Sequence, residues 1–95
     1  MSTASCAVPP HPVPAAGARI TAADAVHVLQ HFGHSTPGPD RRATFRGRLT
    51  ALVAEADHAN RMALATGYPG LVAAVQLART SPTGISTLRT IAHLH

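Results

Sequence analysis

The sequence predicts an all-α protein: a small five-helix bundle behind a disordered, proline-rich N-terminal leader. Three observations carry this reading. Apolar residues recur at spacings of three and four through most of the chain after Ile20. Helix-starting and helix-stopping residues bracket each such segment. The alternating β-branched runs and turn-separated hairpins of strands are missing.

The leader covers residues 1–19. Four prolines between Pro9 and Pro14 fix φ and remove backbone donors, so the stretch favours polyproline-II conformations and builds no core. Its Pro9-Pro10-His11-Pro12 run contains a minimal P-x-x-P pattern, read here as linker. The helical domain is expected over 20–95.

Thr21-Ala22-Ala23-Asp24 reads as an N-cap with a carboxylate at the third helical position, and it starts the first helix. Ala22, Ala25, Leu29 and Phe32, with Val26 or Val28, form its apolar stripe, and Gly33 supplies the stop. His34 to Pro39 is a loop. The second helix starts near Asp40 or Thr44. Its stripe is Phe45, Leu49, Leu52, Val53 and Ala56. Its other side carries Ala43, Gly47, Thr50 and Ala54, small residues that would let a partner helix approach closely. Asp57 caps a short third helix over 58–66, ended by Gly67. The fourth, over 70–80, is apolar on most sides and is expected at the centre of the bundle. Ser81-Pro82 restarts the chain as cap and first helical residue, and Ile85, Leu88, Ile91 and Ala92 give the fifth helix its stripe. The bundle is expected to pack through helices two, four and five.

Composition narrows the function classes. Ninety-five residues make one domain. Nineteen are alanine, which favours helix but buries little surface. The larger apolar side chains after the leader number about twenty, a thin core that favours self-association or a binding partner. The formal charge is +4, from eight arginines and no lysine. That balance admits nucleic-acid or acidic partners and requires neither. Cys6 is the single cysteine, so no disulfide framework exists. No stretch approaches the roughly 20 apolar residues of a membrane span. Thr3-Ala4-Ser5-Cys6 lacks the apolar segment that a lipoprotein signal needs, so a cytoplasmic protein is expected.

Chemistry-bearing residues are few. His27 and His31 lie four apart on the first helix, with His34 beyond, but no acidic residue stands between them as in H-E-x-x-H. Both are expected to face solvent, and a metal site needs three or four ligands. His93 and His95 end the chain. The acids are Asp24, Asp40, Glu55 and Asp57, three of them where helix caps or first-turn carboxylates belong. No catalytic constellation and no cofactor are expected from these parts. Arg41, Arg42, Arg46 and Arg48 cluster at the start of the second helix, where guanidinium groups could lie along phosphates. A helix-turn-helix over Met62 to Leu77 fails, because its reading helix would present Leu71, Val72, Ala73, Ala74 and Val75 to base edges.

The stretch Ala56-Asp57-His58-Ala59-Asn60-Arg61, with Ala65-Thr66-Gly67-Tyr68-Pro69-Gly70-Leu71-Val72-Ala73-Ala74-Val75, resembles short helical proteins of actinobacteria and their phages or prophages. The likeness runs on through Pro82-Thr83-Gly84 and Leu88-Arg89-Thr90-Ile91-Ala92, covering about residues 22–92. It rests on core and turn residues. It implies a small accessory protein and no particular activity.

The expected function is therefore a non-enzymatic helical module that binds a protein partner or self-associates. The alternative is a nucleic-acid-binding accessory protein that places Arg41, Arg42, Arg46 and Arg48 on the phosphate backbone.

Overall fold

A computed structural model of the protein describes residues 19–93. Residues 1–18 of the expected leader, with Cys6 and the P-x-x-P run, lie outside the described residues, as do Leu94 and His95.

Five helices follow one another: α1 (Ala22–His31), α2 (Phe45–Glu55), α3 (His58–Gly67), α4 (Pro69–Thr80) and α5 (Gly84–Ala92). No strand occurs among the described residues. Local chemistry explains most boundaries. Thr21 Oγ1 accepts the Asp24 N–H at 3.1 Å while the Thr21 N–H donates to Asp24 Oδ2 at 3.2 Å, a reciprocal capping box. The other end of α1 closes with Gly33 at φ 84°. There the Gly33 N–H reaches the Gln30 carbonyl and the His34 N–H reaches the Leu29 carbonyl. Thr44 and Asp57 cap α2 and α3 by accepting from the Gly47 and Asn60 N–H groups. Pro69 occupies the first position of α4, where the missing N–H costs nothing.

The fifth helix starts later than expected. Ser81 and Pro82 form a turn, and α5 begins at Gly84 with Thr83 at its N-cap and no side-chain cap. The Gly84 backbone lies against the Leu77 carbonyl in the last turns of α4. The chain therefore spends residues 81–83 reversing direction.

The core is built from Ala25, Val28 and Leu29 of α1, Leu49 and Val53 of α2, Leu71, Ala74 and Val75 of α4, and Leu88 and Ala92 of α5. The helix α4 touches all four others, as its apolar sequence predicts. The expected packing through helices two, four and five needs correction: α1 packs on α2, α4 and α5, while α2 and α5 make little direct contact. Surrounded on three sides, α1 buries seven consecutive residues from Asp24 to Gln30. His27, expected in solvent, is only 8% exposed for that reason.

The α2 stripe also needs correction. Leu49 and Val53 are buried, but Phe45 is 69% and Leu52 55% exposed. Gly47 and Thr50 are buried in their place. The inward direction of α2 is thus turned about a quarter turn toward its small residues. Gly47 permits this, because a Cβ there would overlap the Arg41 carbonyl and come within 2.8 Å of the Arg42 backbone. The Thr50 hydroxyl donates to the Arg46 carbonyl at 2.7 Å, so its burial leaves no open donor.

The close backbone approaches reverse a usual preference. In a helix, alanine is ordinarily up to ~1 kcal/mol better than glycine. Gly47→Ala and Gly84→Ala are instead expected to destabilise by about 1–3 kcal/mol each through overpacking. Gly67→Ala, with nothing within 4 Å of its added methyl, should be neutral or mildly stabilising. Urea denaturation checks this; equal effects at all three sites would contradict the close approaches.

Candidate functional site

The candidate site is the outer face of α2, and its composition follows from what points inward. Arg46 lies under the helix: its guanidinium stands 5.5 Å over the Tyr68 ring, and Nη2 is 3.6 Å from Asp24 Oδ1. Asp24 is 4% exposed and its Oδ1 accepts no hydrogen bond, so Arg46 supplies its charge compensation. With Arg46, Leu49, Thr50 and Val53 turned inward, Phe45, Arg48, Leu52 and Glu55 are left facing out.

Two hollows flank this ridge. A cleft of about 630 Å³ runs between α2 and α3, lined by Leu52, Ala56, Ala63 and Leu64 and by the acids Glu55 and Asp57. A groove of about 390 Å³ on the other flank holds Phe32, Ala51 and Ala54, with Arg79 and again Glu55. Phe32, Phe45 and Leu52, the exposed large hydrophobics, thus all lie on or beside α2. The surface offers apolar area bounded by the cation Arg79 and the acids Glu55 and Asp57.

The four clustered arginines do not share a face. Arg42 turns back onto Asp40, donating through Nε at 3.0 Å and Nη2 at 2.8 Å, with its backbone N–H adding a third bond. Those hydrogen bonds lower the Asp40 pKa to about 2, and the same pair raises that of Arg42. Arg46 is committed to Asp24. Among the described residues Arg41 and Arg48 have no ion-pair partner. Half of the proposed phosphate-binding set is therefore already engaged with carboxylates.

Of the small residues on α2, Gly47 and Thr50 are buried within this chain, Ala54 packs against the core edge, and Ala43 is exposed. The Arg79 guanidinium donates to the Ala54 carbonyl and that of Arg61 to the Ala56 carbonyl, so two cations sit at the C-terminal end of α2. His27 and His31 are separated in role. Nδ1 of His27 bonds the Ala23 carbonyl at 2.7 Å, and His31 sits edge-on to Phe32 with ring centroids 4.9 Å apart. Among the described residues no group of three or more His, Cys, Asp or Glu side chains is placed to hold a metal ion. No helix among them is long and apolar enough to cross a membrane.

Sequence reasoning missed Phe45 and Leu52 as surface residues. The available signal was that α2 carries an apolar stripe and a small-residue stripe on different sides, and only one of them packs fully inward.

Two outcomes follow from the arginine pairings. The lowered pKa of Asp40 favours the folded loop above about pH 4, the ordinary carboxylate value, and this contribution is lost as pH falls through about 2. An NMR titration should show Arg42 Nε–H released over that window, and Asp40→Asn should release it at neutral pH. For duplex DNA, the two unpaired arginines of the cluster support a log K against log salt slope no steeper than about −2. A steeper slope, abolished by changing Arg41, Arg42, Arg46 and Arg48 to Gln, would restore the phosphate-binding reading.

Set beside protein-family models, curated proteins and solved structures, the chain matches none of them.

Proposed function

We propose that the protein is a non-enzymatic interaction module, acting in the cytoplasm, whose outer α2 face docks a protein partner. The observation that supports this most directly is the exposure of Phe45 and Leu52 beside a cleft with an apolar wall and an acidic rim. Single exposed hydrophobics are ordinary on any surface. Here an aromatic ring and a leucine share one helix face and adjoin the hollow lined by Ala56, Ala63 and Leu64, which is the layout of an anchor and its pocket. Full burial of each such side chain contributes about 1.5–3 kcal/mol, enough for two residues to dominate a modest interface.

Site-specific photo-cross-linking tests the reading. Benzoylphenylalanine in place of Phe45 or Leu52 should give protein adducts in native cells, while the same probe at exposed Ser86 of α5 should give none. Phe45→Ala should weaken the association by about tenfold or more. Absence of adducts at both α2 positions would remove this face as a docking site.

A further inference from the structure

We infer that the docked partner is a second copy of this chain, joined through α2 packed antiparallel on α2 about a two-fold axis between Ala51 and Leu52. This rests on the docking reading and adds the identity of the occupant.

The outer face of α2 is self-complementary. The outer face carries Arg48 and Glu55, both exposed, and neither has an ion-pair partner among the described residues. They stand seven residues and about 10 Å apart along the helix, too far to pair with each other. Their midpoint falls between Ala51 and Leu52. A second α2 laid end for end about that midpoint brings Arg48 opposite the second copy's Glu55, and Glu55 opposite its Arg48, both at once. A parallel copy would set like charge against like. Charge alone therefore selects the antiparallel arrangement.

The apolar residues fall into place on the same axis. Leu52 lies half a residue from the midpoint and meets its own counterpart, giving the interface a hydrophobic centre. Phe45 lies about 10 Å from the axis. At that distance the second copy's α2 has ended and its α3 begins, at the cleft lined by Ala56, Ala63 and Leu64. The exposed ring of one copy then fills the cleft of the other, and by symmetry the contact occurs twice. An isologous interface requires this relation: residue i meets j, and j meets i.

Sedimentation velocity of the full chain over a wide concentration range tests the inference, with reductant present so that Cys6 forms no cross-link. The wild type should be a dimer that dissociates on dilution. Arg48→Glu and Glu55→Arg, both at exposed positions, should each weaken dimerisation at least about tenfold. An equimolar mixture of the two variants should recover wild-type association, because every charge in the mixed pair again faces its opposite. Failure of the mixture to associate while the wild type dimerises would overturn the antiparallel register. A wild type that stays monomeric up to about 1 mM, while positions 45 and 52 still photo-cross-link to another protein, would overturn the second copy and leave the docking reading standing. Monomer throughout and no adducts would overturn both.

Discussion

The arrangement of α2 depends on one buried carboxamide. Gln30, near the end of α1, uses its whole amide on the loop that leads to α2. Nε2 donates to Thr36 Oγ1 at 2.8 Å and to the Pro39 carbonyl at 2.9 Å, while Oε1 accepts the Arg41 N–H at 2.8 Å. Each bond contributes about 1 kcal/mol net, but the larger quantity is the cost of leaving such a buried group unpaired. The loop is thereby held to one path against α1. Arg41 is fixed at its end, its carbonyl accepts the Thr44 hydroxyl at 2.6 Å, and Thr44 in turn caps α2. Gly47 then settles against the Arg41–Arg42 backbone, which sets the rotation of the helix. The outward direction of Phe45 and Leu52 is the far end of this chain of contacts.

Gln30 is one of three buried polar residues along a helix that is buried almost all round. Asp24, His27 and Gln30 recur at intervals of three on α1, and each is partnered differently. Asp24 closes the capping box and faces Arg46; His27 turns onto the Ala23 carbonyl; Gln30 holds the loop. A central helix with polar groups is tolerable when each is hydrogen-bonded or, as for Asp24 Oδ1, faces an opposite charge, and the reward is specificity. Asp24 and Gln30 both act on α2 or the loop leading to it, one through Arg46 and the other through Arg41. These two attachments fix α2 where its own apolar stripe would have let it rotate. Gly70 extends the same logic to α4, since its missing side chain admits the Asp24 carboxylate and the Arg19 carbonyl.

What was legible in the sequence was local. Thr21, Gly33 and Asp57 act on backbone groups within a few residues of themselves, so their roles could be read without knowing the fold. The central place of α4 was also legible, because its Leu71–Val75 run is apolar in every direction. The rotation of α2 was not. Periodicity identifies which residues share a face, but the inward face is decided by whichever side approaches a neighbour most closely, and Gly47 makes that the small side. His27 was misplaced for a related reason: a stripe predicts the buried side of a helix packed on one flank, and α1 is packed on three. The candidate site inherits both limits, since Phe45 and Leu52 become surface residues only once the rotation of α2 is known.

The charges of α2 show how much of its chemistry is consumed internally. Arginines at a helix N-terminus oppose the macrodipole, a cost of some tenths of a kcal/mol each. Here Arg42 is offset by Asp40 and Arg46 by Asp24. At the other end Arg61 and Arg79 reach in from α3 and α4 to the last carbonyls, where cations are favoured. Each of these groups is engaged within the chain. Of the charges on the helix itself, Arg48 and Glu55 are left without such engagement among the described residues, and they lie on the face that also carries Phe45 and Leu52. A surface whose unused cation, unused anion and exposed apolar side chains coincide is incompletely compensated by its own fold. The folding requirements of α1 and its loop, together with packing on α3 and α4, account for the inward contacts of α2, and they leave the outward ones to be met from outside the chain.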